Sequence, residues 1–203
     1  LHAPFGHQPP HADLRERRRS PGEIAAVGLS GQMHGSVFLP AIPAGGRSPG
    51  GGGFGSGGGG FSDGDGGPDA RTQALRPALL WNDQRTAAQC AEIERAAGGR
   101  DALIARVGNR ALPGFTLPKI LWLRAHEPDL FARTATVLMP KDFLRLRMTG
   151  SRGTDVGDAS GTLAYDTAQR RWNTALIADL RLDPAIFPPA SESAAIAGRR
   201  WLP

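Results

Sequence analysis

Any fold of this chain has to accommodate residues 45–67, GGRSPGGGGFGSGGGGFSDGDGG. Glycine dominates the stretch, and Phe54 and Phe61 are too few large apolar side chains to form a core. The stretch lacks the Gly-Lys-Ser/Thr ending of a phosphate-binding loop, and no helical pattern follows it directly. It therefore predicts a flexible insertion in a surface turn, and the core has to come from the segments on either side.

Apolar runs on both sides of the insertion predict β-strands. Residues 24–30 (IAAVGLS), 36–42 (SVFLPAI) and 75–81 (LRPALLW) each have the length and composition of a buried strand. Without the insertion, the second and third runs would form a β-hairpin with an ordinary short loop.

Helical patterns follow Trp81. Asp83 and Thr86 are suited to cap a helix over 87–97, which Gly98 would end. The remaining predicted elements are helices over 101–107, 116–126, 142–149 and about 172–180, a strand over 135–140, and an irregular turn leading to a short strand over 154–166. Strands first, and then helices interspersed with a strand, predict an α/β domain.

Composition excludes several classes of function. The net charge of +5 comes from scattered arginines rather than a basic stripe, which argues against a nucleic-acid partner. Apolar windows long enough to cross a membrane are lacking, and residues 1–22 predict a disordered tail rather than a signal peptide. The single cysteine, Cys90, fits a cytoplasmic protein, and the scattered histidines show no metal-ligand spacing.

Polar residues cluster in loops between the predicted elements. The clusters are Gln32-Met33-His34, Trp81-Asn82-Asp83-Gln84-Arg85, Pro113-Gly114-Phe115-Thr116, and Thr154-Asp155 with Asp158-Ala159-Ser160-Gly161. Ligands of α/β sheets bind where such loops converge. A polyhydroxylated ligand needs hydrogen-bonding groups around its hydroxyls and an apolar surface for its C–H face. The predicted hydrogen-bonding residues are Gln32, His34, Asn82, Asp83 and Arg85, and the predicted apolar residues are Met33, Trp81 and Phe115.

Five strings, in their order along the chain, resemble the FGGY family of carbohydrate kinases, and its xylulokinase branch most closely. They are GLSGQMHG (28–35), LRPALLWNDQR (75–85), LPGFTLPKILWLRAHEP (112–128), VLMPKDFLRLRMTG (137–150) and TDVGDASGTLAYD (154–166). The resemblance implies an actin-like, ribonuclease-H-like N-terminal domain over residues 23–203, incomplete and interrupted by the insertion. It implies ATP and Mg²⁺ as cofactors and D-xylulose as the sugar that Met33 and His34 contact. Trp81, Asn82, Asp83 and Arg85 would line the same cleft, and a homodimer is left open.

The resemblance also implies parts that this sequence does not show. The family's Asp-x-Gly-Thr turn, which meets the nucleotide phosphates, has no counterpart before residue 23, and the family's catalytic Asp lies in a Gly-Gly-Asp-Asn-type segment that is not found here. Neither Asp155 nor Asp158 is therefore assigned as the general base. The expectation is a sugar half-site that is inactive alone. The alternatives are a family kinase for another ketose or polyol, a non-catalytic sugar-binding or regulatory module, and a truncated gene product.

Overall fold

The computed structural model describes residues 24–41 and 73–198, and its elements form a mixed α/β fold, which confirms the predicted fold class. The helices are α1 (Ala87–Ala97), α2 (Arg100–Val107), α3 (Thr116–His126), α4 (Pro128–Arg133), α5 (Pro140–Thr149), α6 (Val156–Ser160) and α7 (Thr174–Asp179). The strands are β1 (Val37–Leu39), β2 (Thr136–Leu138), β3 (Thr154–Asp155), β4 (Tyr165–Asp166), β5 (Arg171–Trp172) and β6 (Ala190–Ser191), and a 3-10 helix spans Pro184–Ile186.

The strands are short and pair two by two. Strands β1 and β2 are antiparallel, with Phe38 opposite Val137. Strand β3 pairs with β6 in parallel, and β4 pairs with β5 antiparallel. On the other side of β1, Ser36 and Leu79 form an antiparallel bridge with N–H···O distances of 2.8 and 3.1 Å. The segments before and after the predicted insertion therefore run antiparallel to each other.

The core lies between the helices and the β1–β2 pair. Ile93 of α1, Leu103 of α2, Ile120 of α3 and Ile177 of α7 are all 0% exposed and belong to one apolar cluster, which also contains Phe38 of β1. Each such side chain contributes about 1.5–3 kcal/mol on burial. This cluster holds α3 in place, so the loop that precedes α3 has a rigid support.

The predicted helices are confirmed, and their ends follow from local chemistry. Helix α1 ends at Gly98, whose φ of 90° lies in the left-handed region, and α2 ends in the same way at Gly108, with a φ of 77°. Helix α3 ends at His126, as Glu127-Pro128 predicted. Pro128 then begins α4, which was not predicted, because proline suits the first turn of a helix as well as it stops one.

Two of the predicted strands are wrong as stated. Residues 24–30 form neither a helix nor a strand, and residues 75–81 contribute only the bridge at Leu79. An apolar run becomes a strand only where a neighbouring backbone offers a ladder of hydrogen bonds, which composition cannot show. The Gln32-Met33-His34 cluster consequently lies in the bend before β1 and does not follow a strand.

The predicted helix caps are also wrong in their hydrogen bonding. Thr86 occupies the N-cap position of α1, but its hydroxyl donates to the Pro113 carbonyl over 2.9 Å instead of capping its own helix. Asp83 accepts from the Arg85 backbone N–H at 3.1 Å, one turn ahead of the helix. Thr116 is the first residue of α3, and its hydroxyl donates to the His34 carbonyl over 3.3 Å. Side chains suited to capping thus tie loops together here.

Deletion of residues 45–67 is expected to leave the melting temperature nearly unchanged. The described segments on either side of the insertion already lie in antiparallel backbone contact, with Leu75 N donating to Phe38 O over 2.8 Å. The entropy of closing a loop also changes only slowly with its length. Thermal unfolding followed by circular dichroism would check this. A fall of about 10 °C, or loss of folded protein, would contradict the interpretation of 45–67 as a dispensable insertion.

The predicted tail, 1–22, and the insertion, 45–67, lie outside the described residues. By its internal contacts the chain divides into two units, residues 1–30 and 31–203, and all the helices and strands given above belong to the second. Within the described ranges, no helix is both long and apolar enough to cross a membrane.

Candidate functional site

The predicted polar clusters meet at the N-terminal turn of α3. The ammonium of Lys119, in the first turns of that helix, donates to the His34 carbonyl at 2.7 Å and to the Gly114 carbonyl. The Thr86 hydroxyl bonds the loop of Pro113 to the start of α1. The loops that carry 32–34, 81–85 and 113–116 are therefore joined by hydrogen bonds to backbone carbonyls and not by pairing of adjacent strands.

His34 has the most constrained geometry of these residues. Its φ of 63° is left-handed, a conformation that costs a non-glycine residue about 1–3 kcal/mol. The imidazole packs against Phe115 with 4.4 Å between ring centroids, and its Nδ1 lies 2.6 Å from the Gly161 carbonyl. Because a carbonyl can only accept, Nδ1 carries a proton, and the neutral form of the ring then has its lone pair on Nε2. His34 is thus prepared to accept a hydrogen bond at Nε2.

Two large apolar side chains remain exposed beside this turn. Met33 is 55% exposed and Trp81 is 56% exposed, although both are costly to leave in water. Asn82 is exposed in the same turn as Trp81. Phe115, by contrast, is only 9% exposed, so it supports His34 and offers little surface to a ligand. The exposed apolar groups suit the C–H face of a polar ring.

Asp83 and Arg85 form a partly exposed ion pair at the edge of the site. The Asp83 carboxylate accepts from the Arg85 side chain at 2.9 Å, and the guanidinium lies 4.6 Å from the centre of the Trp122 ring. Burial pushes the pKa of Asp83 up, but the side-chain and backbone hydrogen bonds from Arg85 outweigh it and leave that pKa below its ordinary value. Asp83 therefore stays ionised and is a hydrogen-bond acceptor, not a base that takes up protons near neutral pH.

The fourth cluster divides in two. Gly161 reaches His34, whereas Asp155 and Asp158 surround the ammonium of Lys141 together with Asp142. Lys141 Nζ hydrogen-bonds Asp155 and lies 3.0 Å from Asp158 and 3.2 Å from Asp142. Burial alone would lower the pKa of Lys141, but the hydrogen bonds to Asp155 and Asp158 raise it well above its ordinary value.

Comparisons with known proteins identify the family to which the chain belongs. Residues 64–200 match the N-terminal domain of the FGGY family of carbohydrate kinases. The chain belongs to that family. Xylulose kinase of Escherichia coli strain K12 is 35% identical over 176 residues, which cover 87% of this chain and 30% of the relative. Xylulose kinase of Bacillus subtilis strain 168 is 37% identical over 171 residues, which cover 84% of this chain and 28% of the relative.

A solved structure confirms the expected fold. The crystal structure of a xyloylose kinase from Brucella ovis matches with a TM-score of 0.71 and 34% identity, covering 93% of this chain and 33% of that one. The fold is therefore that of FGGY sugar kinases, as the resemblance implied. The chain spans about a third of the length of the relatives it matches.

The cofactors of FGGY kinases do not fit the charged groups described here. Three carboxylates, of Asp142, Asp155 and Asp158, offer oxygens within 4.8 Å of one another, a spacing that a metal ion would accept. The Lys141 ammonium already lies among them, and a Mg²⁺ ion there would face a fixed positive charge. Lys119 is buried and directed at carbonyls, so neither lysine of the chain is available to a nucleotide phosphate.

Sequence reasoning placed Gly161, Asp155 and Asp158 in the fourth polar cluster, but it gave no role to Lys119 or Lys141. One signal was present, because only two of the 24 basic residues are lysines and each follows a proline, Pro118 or Pro140. A chain that otherwise uses arginine has two positions where a compact ammonium is retained. Both prove to be positions where a single point charge is surrounded by several oxygen atoms.

Proposed function

We propose that this chain is the sugar-binding part of a xylulokinase-like enzyme that transfers the γ-phosphate of ATP to D-xylulose, and that it does not catalyse the transfer alone. The observation that carries the proposal is the His34 turn, which combines an imidazole held by the Gly161 carbonyl with the exposed Met33 beside it. Sequence similarity to xylulose kinases supports the choice of sugar.

In this proposal the residues bind and orient the sugar. Nε2 of His34 accepts a hydrogen bond from a sugar hydroxyl, and the Met33 and Trp81 side chains cover the C–H face. Asn82 and Asp83 extend the polar rim of the cleft, with Arg85 holding the Asp83 carboxylate in one orientation. ATP would supply the phosphoryl group and Mg²⁺ would neutralise charge on the phosphates, both held mainly by parts of the family fold outside this chain.

The proposed inactivity is supported by the state of the carboxylates near the site. A general base has to be free to take the proton of the attacking hydroxyl. Asp83 is paired with Arg85, and both Asp155 and Asp158 are paired with Lys141. The hydrogen bonds from Lys141 and Ser193 outweigh the effect of burial on Asp155 and lower its pKa, which makes it a poor proton acceptor.

Calorimetric titration with D-xylulose tests the proposal. The wild-type chain is expected to bind the sugar weakly, and the Met33→Ala, His34→Ala double variant to lose at least tenfold in affinity. Leu144→Ala, which trims another exposed side chain on α5, is the control and should bind like the wild type. Equal affinity in the wild type and the double variant would contradict the assigned half-site, and ATP turnover by the chain alone would contradict its inactivity.

A sugar panel separates the proposal from its alternatives. Stronger binding of another ketose or of a polyol such as glycerol would indicate an FGGY kinase of different specificity. Absence of binding to every sugar by folded protein would indicate that these residues do not form a half-site unaided. D-xylulose as the preferred ligand is the expected result.

A further inference from the structure

Lys119 is a buried lysine near the start of α3. It is 0% exposed, and burial lowers its pKa to about 8. Placing an ammonium in a protein interior costs several kcal/mol unless its donors are satisfied, so apolar residues are usually found in such positions. Because burial of this ammonium is costly, we expect its charge to have a specific function.

The partners of Lys119 define that use. Its Nζ donates to the carbonyl of His34, the residue with the left-handed φ, and to the carbonyl of Gly114, one residue before Phe115. These two backbone segments also meet through their side chains, because the His34 ring packs on the Phe115 ring. One ammonium therefore joins the backbone of the His34 turn to the backbone of the loop that supports its imidazole.

We propose that Lys119 is a positioning residue for sugar recognition: it holds the His34 turn in its left-handed conformation, so that Nε2 faces the ligand. Its hydrogen bond to the His34 carbonyl offsets the backbone strain at that residue. Methionine has similar length but no donor, and would leave both carbonyls without this partner. Arginine would place a planar guanidinium where the compact ammonium of Lys119 lies, and its donors would not match the two carbonyls. The sugar part of this inference rests on the proposed function, whereas the effect on the turn does not.

Charged groups around Lys119 set how it responds to pH. The Asp83 carboxylate attracts the ammonium and opposes the lowering of its pKa, and Arg85 pairs with that carboxylate. The imidazole of His34 is the other titratable group of the loops it holds. Since the folded pKa lies below the ordinary lysine value of about 10.4, folding becomes more favourable as the pH rises from about 8 to 10. Over the same interval the charge-assisted bond to His34 weakens.

These opposite responses distinguish positioning from a purely structural role. If Lys119 were purely structural, a rise in pH that increases the stability would also make the His34 turn more ordered, or would leave the turn unchanged. If Lys119 positions His34, loss of its proton at higher pH makes the His34 imidazole less ordered, while the free energy of unfolding of the whole chain rises. Both responses should be absent in Lys119→Met, so the difference between wild type and variant isolates the contribution of Lys119 from other groups that titrate between pH 7.5 and 10.

Nuclear magnetic resonance of the His34 imidazole in the ligand-free chain of 203 residues is the test. In the wild type, a single tautomer with the proton on Nδ1 is expected at pH 7.5, and its signals should shift with a midpoint near pH 8. In Lys119→Met, the signals should broaden or show both tautomers, and D-xylulose affinity should fall at least tenfold. Arg124→Met is the matched control, because Arg124 lies on the same helix but bonds Leu180 and Glu92.

Each outcome decides one of the two proposals. Unchanged His34 signals and unchanged affinity in a folded Lys119→Met variant would overturn the positioning role. If that variant does not fold, the wild type decides the positioning role alone. His34 signals that stay constant from pH 7.5 to 9.5 would overturn that role, and signals that shift with a midpoint near pH 8 would support it. Failure of the wild type to bind D-xylulose would count against the proposed function only, because the His34 signals still report on Lys119.

Discussion

Lys141→Met is expected to lower the free energy of unfolding by about 3–5 kcal/mol at pH 7, the range typical of removing one partner from a buried ion pair. The ammonium lies among the carboxylates of Asp142, Asp155 and Asp158, and the Asp142 side chain is 0% exposed. Without the lysine, three carboxyl groups remain within 4.8 Å of one another with reduced access to water, and burial already raises the pKa of Asp142. Urea denaturation followed by circular dichroism would measure the loss.

The pH dependence of that loss has a definite sign. In the wild type, burial raises the pKa of Asp155, but Lys141 and Ser193 outweigh it and lower the pKa. Its stabilising contribution is therefore present above the unfolded value of about 3.9 and disappears as the pH falls through the folded value. In Lys141→Met, burial and like charges raise the folded pKa of Asp155, so acidification relieves repulsion. The gap in stability between the two proteins should narrow from pH 7 to pH 4.5.

Arg147→Met is the matched control for this prediction. Arg147 is a basic residue of the same helix, α5, but its side chain is exposed, so its replacement should change stability by about 0.5 kcal/mol or less. A constant gap between wild type and Lys141→Met across this pH range would show that the loss comes from packing of the lysine stem. It would thereby refute the ion cluster as the cause.

Local features of the chain were predictable because their causes lie within a few residues. The ends of α1 and α2 follow from Gly98 and Gly108, which adopt left-handed φ values at low cost. The exposed and buried faces of these helices follow from their spacing of apolar residues. The family, too, follows from short strings, because motifs such as GQMHG and WNDQR retain their order along the chain.

Contacts between distant segments were not predictable in the same way. Residues 24–30 and 75–81 have the composition of strands, yet a strand exists only where another backbone pairs with it. The hydrogen bonds from Thr86, Thr116 and Lys119 all end on backbone carbonyls, and a carbonyl is common to every residue type. Sequence can therefore name the donors in such a site without indicating which loops they join.

Phe115 illustrates the same limit for side chains. As an aromatic residue beside a glycine in a polar loop, it fits a surface for the sugar. In the structure, Met33 and Trp81 are exposed, whereas Phe115 is turned inward against His34. Whether an aromatic ring contacts a ligand or supports a ligand-binding residue depends on the direction of one side chain, which its position in a motif does not specify.

Gly161→Ala is expected to displace the His34 imidazole and to reduce D-xylulose affinity at least tenfold. A Cβ at residue 161 would lie 2.7 Å from His34 Cε1 and 2.8 Å from its Nδ1, closer than nonbonded atoms allow. The ring cannot simply retreat, because Phe115 packs against it with 4.4 Å between centroids. Its movement would break the Nδ1–H bond to the Gly161 carbonyl, and stability should fall by about 1–3 kcal/mol.

Gly31→Ala makes the same chemical change beside the same turn and serves as the control. The atom nearest to its added Cβ would be Lys141 Cβ, at an ordinary contact distance of 3.4 Å, so binding and melting temperature should stay near those of the wild type. Calorimetry with D-xylulose, together with the imidazole signals of His34, would compare the two variants. If Gly161→Ala keeps both its affinity and its His34 tautomer, then the imidazole is not fixed by Gly161. The proposal that His34 Nε2 accepts a hydrogen bond from the sugar would then lose its support.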